Sequence, residues 1–139
     1  MSGRPSADAG DIEVGSLYDA HLTLLALRGE LDVATAGALT EVLDRAAGTM
    51  PGRSLLLDLA AVSFLDLRGC RPFGLAQTAL AARGDRVVLA GARPAVLRVL
   101  HLLEWQERLP HLADVGVAYA ALAVGAAEDL LARIGRDPL

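Results

Sequence analysis

Apolar residues of this chain occur in two patterns, continuous short runs and runs spaced three and four residues apart. The continuous runs are typical of strands, and the first two predict an opening hairpin. Spaced runs are typical of amphipathic helices. The strands predicted are 12–17, 21–27, 54–59, 86–90 and a short 109–112. Residues 18–20 are predicted to turn the hairpin, and Gly29 to supply a flexible corner where 28–31 closes the second strand.

Helical spacing follows each strand after the hairpin. The first helix is predicted from Val33 to about Ala47, ended by Gly48 and Pro51-Gly52, and the second from Gly69, with Pro72 in its first turn. The buried face of the second helix is predicted to hold Phe73, Leu75, Ala76, Ala79 and Leu80. A third helix spans 95–102, and a last one runs from Asp114 or Gly116 to about Arg133, with a break near Gly125.

This alternation predicts an α/β fold. We expect a mixed, mostly parallel sheet of four to five strands, an antiparallel N-terminal hairpin and about four helices. Residues 1–11 are predicted to be a disordered tail, and 12–139 one domain with a C-terminal helical extension. The tail lacks the apolar core of a signal peptide, and the uncharged run 115–127 is shorter than the ~20 residues of a membrane span. A soluble cytoplasmic protein is expected.

Composition narrows the function classes. The net charge of -4 argues against binding to nucleic acid, and the 13 basic residues are all arginine, which excludes lysine chemistry. The single cysteine excludes an internal disulfide, and His21, His101 and His111 lack the spacing of metal ligands. No nucleophile with a neighbouring base is evident. We therefore expect no catalytic residues, no metal, no cofactor and no enzymatic activity.

Several single residues allow two interpretations. Asp32 and Asp66 each precede a helix, where a carboxylate accepts hydrogen bonds from free N–H groups, and Asp66 could also contact a partner. Cys70, near a helix start, is either a reactive thiol or a small buried apolar residue, and the second is favoured. Trp105 is favoured as a packing anchor over an interface residue.

Three segments in order resemble the STAS domain of bacterial anti-sigma factor antagonists. Leu27–Ala36 resembles the family's strand-to-helix signature, an L-x-G-E-L-D motif followed by a T-A pair. Leu56–Asp66 resembles its central strand and the loop after it, and Val88–Leu100 its fourth strand and third helix. The order and spacing agree over roughly residues 12 to 124.

The resemblance implies a regulator of transcription that works by partner switching. Such antagonists bind an anti-sigma factor, often a serine kinase, and phosphorylation of a serine at the start of helix two breaks the complex. That serine lies in a D-S-S-G-L pattern, where this chain reads Asp66-Leu67-Arg68-Gly69-Cys70. Asp66 and Gly69 match the pattern, but Arg68 stands at the serine position and cannot accept a phosphoryl group.

The resemblance also places the partner surface at the starts of helices one and two. We expect the partner-binding residues to be Asp32, Thr35, Asp66, Leu67, Arg68, Gly69 and Cys70. The alternative for Thr35 is an exposed helix residue without a role in binding. Ser63 is a poor substitute phosphosite because its loop position differs. Two alternatives stay open: a STAS scaffold without a switch, which includes a homodimer, and a domain that binds an anion or small ligand through Arg68 and the N–H groups of helix two.

Overall fold

The computed structural model describes residues 12–18, 22–49 and 54–123. The predicted tail 1–11, most of the turn at Tyr18-Asp19-Ala20, the helix end at Pro51-Gly52 and the helix beyond residue 123 lie outside these residues. The strands are β1 (Glu13–Tyr18), β2 (Leu22–Leu31), β3 (Ser54–Leu65), β4 (Val87–Ala90) and β5 (His111–Leu112). The helices are α1 (Val33–Thr49), α2 (Leu67–Ala81), α3 (Pro94–Leu102) and α4 (Val115–Ala123), with a 3-10 turn at Trp105–Glu107.

The sheet runs in chain order, β1-β2-β3-β4-β5. The first pair is antiparallel and the other three pairs are parallel. Parallel neighbours need a crossover, and α1, α2 and α3 supply the three crossovers. The predicted α/β fold, its hairpin, its five strands and its four helices are therefore confirmed for the described part of the chain.

Alternate residues of β3 face two separate cores. Leu55, Leu57 and Leu59 belong to the larger core, which contains buried residues of α1, α2 and α3. Leu56 faces the opposite side of the sheet, where Ala118 and Leu122 of α4 cover it. A strand buried on both faces is apolar nearly throughout, which explains the continuous run at 54–59.

Strand β3 continues to Leu65, whereas the sequence predicted its end at Leu59. Residues beyond Asp58 no longer pair with β4, but they pair with β2 through two register shifts. The predicted corner at Gly29 lies at one of these shifts, where its φ of 120° is a conformation that glycine adopts without strain. The extension carries the carboxyl end of β3 past β4, so that Leu65 pairs with Leu31 at the end of β2.

Helix α2 begins at Leu67, two residues before the predicted start at Gly69. Its buried side is formed by Gly69, Cys70, Pro72, Phe73, Ala76 and Leu80. Leu75 and Ala79 are exposed, so the prediction that they face the core is wrong. The earlier start also puts Pro72 in the second turn, where its missing N–H leaves the Arg68 carbonyl without its i+4 donor.

Candidate functional site

The starts of α1 and α2 lie side by side at the carboxyl ends of β2 and β3. The backbone N–H of Asp66 donates to the Leu31 carbonyl, with 3.1 Å between nitrogen and oxygen. The end of β2 is thereby hydrogen-bonded directly to the residue that caps α2. The structure brings the sequence-predicted site residues of 32–35 and 66–70 into one corner of the molecule.

Reciprocal hydrogen bonds fix the start of α1. The Asp32 carboxylate accepts from the backbone N–H groups of Ala34 at 2.9 Å and Thr35 at 3.2 Å. The Thr35 hydroxyl accepts from the Asp32 N–H at 3.0 Å and donates to the Glu30 carbonyl at 2.8 Å. The predicted N-cap is confirmed. Thr35 is buried, so the alternative of an exposed helix residue is wrong. Its hydroxyl lies below the surface, where it joins the end of β2 to the start of α1.

Asp66 caps α2 as the sequence predicted. Its Oδ1 atom accepts from the Gly69 N–H at 2.9 Å, and its own backbone is extended. One of the free N–H groups of the helix start is thus occupied by a carboxylate of the protein itself. An anion arriving at this helix start would compete with Asp66, which weakens the predicted alternative of an anion site built on these N–H groups.

Gly69 is the point where α2 touches the end of β2. A Cβ added at this residue would overlap the carbonyl group of Leu31 and lie 2.6 Å from the backbone nitrogen of Asp32. These obstacles are backbone atoms, which cannot move aside by changing rotamer. The glycine is therefore required by the close approach of the two helix starts, and not by its backbone conformation.

Cys70 is fully buried beneath this corner, with 0% exposure. Burial, assisted by the neighbouring Asp66 carboxylate, raises the pKa of the Cys70 thiol to about 12. The thiol is therefore protonated at neutral pH and poorly nucleophilic. The interpretation of Cys70 as a small buried residue is confirmed, and in this conformation its side chain offers no surface to a partner.

The exposed part of the corner is formed by Val33, Leu67 and Arg68, which we call the helix-start surface. Val33 is 62% exposed and Leu67 58% exposed, although both are aliphatic. Sequence reasoning named Leu67 and Arg68 but missed Val33. No signal in the sequence marks it, because Val33 lies three residues before Ala36 and so has the spacing of a buried apolar residue of α1.

A groove of about 500 Å³ extends this surface along α1 and α2. Trp105 lines it and packs edge-to-face against Phe73, with ring centroids 6.2 Å apart and planes at 77°. The Arg108 guanidinium lies 4.9 Å from the centroid of the Trp105 ring. Trp105 is buried, so the prediction of a packing anchor is confirmed.

No group of three or more His, Cys, Asp or Glu side chains among the described residues is arranged to hold a metal ion. Ser63 is exposed on β3, and its hydroxyl donates to the Gly29 carbonyl oxygen at 3.4 Å. Within the ranges described, no helix has the length and apolar character needed to cross a membrane.

The fold and the capped helix pair define a class of protein, the STAS domains. The family profile of the STAS domain matches residues 17–118, and the chain belongs to this family. A search of curated proteins found no match to the chain.

Solved structures share the fold. An anti-sigma factor antagonist from Mycobacterium paratuberculosis superposes with a TM-score of 0.72 at 23% identity, covering 84% of this chain and 97% of that one. An anti-sigma factor antagonist domain protein from Planctomyces limnophilus gives 0.70 at 17% identity, with coverage of 79% and 97%. The phosphorylated form of the Bacillus cell fate determinant SpoIIAA gives 0.58 at 15% identity, with coverage of 78% and 98%. At these identities the likeness establishes the fold.

Proposed function

We propose that this chain is an anti-sigma factor antagonist-like regulator that acts by binding a protein partner and has no enzymatic activity. The partner is an anti-sigma factor, or an anti-sigma protein of the serine-kinase type, in the cytoplasm of a bacterium. The observation that carries the proposal is the exposed helix-start surface on a rigidly capped frame. Val33 and Leu67 lie together beside the Arg68 cation, and these two aliphatic side chains would bury apolar area in a complex with a partner.

The frame supports the proposal because it resists deformation. Two aspartates cap the helices and Gly69 allows the backbones to touch, so the surface is organised before a partner arrives. A preorganised surface binds with a smaller entropic cost. Asp32, Thr35, Asp66, Gly69 and Cys70 then act by positioning, and Val33, Leu67 and Arg68 provide the contact.

Arg68 makes the binding of this chain to its proposed partner insensitive to serine phosphorylation at position 68. It is exposed in the first turn of α2, the place that the family resemblance assigns to the phosphorylated serine. A guanidinium carries a permanent positive charge and accepts no phosphoryl group. The chain is therefore proposed to bind its partner constitutively.

Binding to the anti-sigma proteins of the source organism tests the proposal. The chain and a Leu67→Asp variant are titrated against each purified candidate by calorimetry, with Val117→Asp as the matched control. Val117 is exposed to a similar degree but lies on α4, at the opposite face of the sheet. We expect binding by the parent chain and the control, and a loss of at least about tenfold for Leu67→Asp. No binding by the parent chain to any of these proteins would refute the proposal.

A self-associating STAS module is the second candidate, and the same exposed aliphatic residues favour it. Sedimentation at increasing concentration separates the two candidates. A homodimer that Leu67→Asp dissociates supports self-association, whereas a monomer that binds an anti-sigma protein supports the first candidate. Phosphorylation of an Arg68→Ser variant by a kinase partner would further support the antagonist function.

A further inference from the structure

We propose that the groove along α1 and α2 binds an acidic, amphipathic segment of a protein partner. This inference deepens the proposed function and rests on it, because it specifies what the partner presents to this side of the molecule. It follows from three independent properties of the groove, namely its open shape, its apolar wall and its uncompensated positive charge.

The shape comes from small residues on α1. The groove is lined on this helix by Val33, Ala36, Gly37 and Thr40, which recur at i, i+3, i+4 and i+7. A Cβ added at Gly37 would meet no atom within 4 Å, so the groove is open to solvent at its middle. On α2, Gly74 permits the Trp105 ring to approach, since an added Cβ there would lie 3.1 Å from the indole.

The wall is apolar over much of its length. Val33 and Leu67 stand at one end, and Leu75, which is 60% exposed, lines the groove two helical turns further along α2. Residues 67 and 75 are spaced about 12 Å apart along the axis at a rise of about 1.5 Å per residue. An apolar strip of this length fits side chains from about two turns of a partner helix.

Three arginines, Arg68, Arg71 and Arg108, line the groove, and no acidic residue does. Elsewhere in the described chain Arg28 and Arg83 have carboxylate partners, Glu13 and Asp85. The side chains of Arg68 and Arg71 have no hydrogen bond or ion pair with any described residue. The chain has a net charge of -4, so this local excess of cations runs against its overall charge.

The positive charge identifies the occupant. A second copy docked by the same face would bring its three arginines against these three, and like charges across an interface are unfavourable. The described end of the chain, α4, lies on the opposite face of the sheet. A partner segment with apolar residues on one side and Asp or Glu beside them matches both the wall and the arginines.

Fluorescence of Trp105 provides a direct assay, because it is the only tryptophan of the chain and it lines the groove. Two synthetic helical peptides are titrated into the full chain, identical in their apolar positions and free of aromatic residues. One carries Glu on its polar side and the other Lys. We expect the Glu peptide to change the Trp105 emission with an affinity that falls as salt rises, and the Lys peptide to have no effect.

Two variants locate the site, each with a matched control. Arg71→Glu should lower the affinity for the Glu peptide about tenfold. Arg98→Glu makes an equal charge change at an exposed position outside the groove and should leave this affinity unchanged. Gly37→Leu should block the groove without altering charge, while Gly48→Leu, at an open glycine of the same helix outside the groove, should bind normally.

The inference fails if neither peptide binds, if both bind equally, or if each variant behaves like its control. It also fails if a chain ending at Ala123 binds the Glu peptide and the full chain does not, because residues 124–139 would then occupy the groove. Emission that changes with protein concentration alone would assign the groove to a second copy. These peptide results do not depend on the anti-sigma titration, so failure of this inference can be distinguished from failure of the proposed function.

Discussion

Gly69→Ala separates the tertiary role of this glycine from its effect on the helix. Residue 69 lies in the first turn of α2, and it has none of the positive φ values that make alanine strained. Helix propensity alone therefore predicts stabilisation by up to about 1 kcal/mol for the substitution. The structure predicts the opposite, because the added methyl group would overlap the carbonyl group of Leu31.

The expected loss of stability in Gly69→Ala depends on which neighbouring atoms must move to make room for the methyl group. Overpacking against neighbours costs about 1–3 kcal/mol, and the upper end applies because the obstacle is backbone. Moving α2 away also weakens the hydrogen bond from the Asp66 N–H to Leu31, which contributes about 1 kcal/mol. With about 1 kcal/mol returned by helix propensity, we expect Gly69→Ala to lower the free energy of unfolding by about 3 kcal/mol.

Urea unfolding followed by Trp105 fluorescence and circular dichroism measures this change. Gly37→Ala is the matched control, since it makes the same substitution in α1 where an added Cβ has no neighbour within 4 Å. The control should gain between about 0.5 and 1 kcal/mol. If Gly69→Ala is as stable as Gly37→Ala, the close approach of the two helix starts does not constrain residue 69 and the argument is refuted.

Three further predictions concern buried or capping groups. Cys70, the only cysteine, should fail to react with Ellman's reagent at pH 8 in the folded chain and should react once the chain is unfolded. The reason is that burial raises the pKa of its thiol to about 12, and rapid reaction of the folded chain would contradict this. The pKa of His111 is lowered by burial and by nearby His101, so the unfolded state binds more protons, and stability should fall as pH drops through 6.5 toward the folded pKa. Replacement of His111 by Gln should flatten that pH dependence in urea unfolding between pH 5.5 and 7.5. Asp66→Ala should cost about 1 kcal/mol and Asp66→Asn much less, since Asn also caps; equal losses would argue against a capping role.

Local chemistry explains why so much of the fold could be predicted. The strand runs, the four helices and the caps at Asp32 and Asp66 depend on residues close together in the chain, and the structure confirms them. The predicted buried face of α2 was wrong at Leu75 and Ala79. The extension of β3 to Leu65 depends on pairing with β2, more than thirty residues earlier, so the local pattern did not reveal it. The contact of Gly69 with Leu31 is equally non-local.

The groove escaped prediction for the same reason. It forms only when α1, α2 and the turn carrying Trp105 meet. Of its three arginines only Arg68 is singled out by the sequence, whereas Arg71 and Arg108 look like ordinary solvated residues there. Val33 was missed because an aliphatic residue next to a cap attracts no attention until its exposure is known. Exposure and the absence of an acidic partner are properties of the assembled surface.

Arg68 lies in the first turn of α2 and also lines the groove, and one substitution tests its effect on both stability and binding. Arg68→Glu places a negative charge at the helix start, where it interacts favourably with the free N–H groups and the helix dipole. Removing the unfavourable cation and adding a favourable anion should raise the free energy of unfolding by about 1 kcal/mol. The same change removes one of the three cations that line the groove, so it should lower the affinity for the Glu peptide. Stability and binding would move in opposite directions, which loss of structure cannot produce. A variant that is more stable and binds as well as the parent would show that the groove does not select its partner by charge.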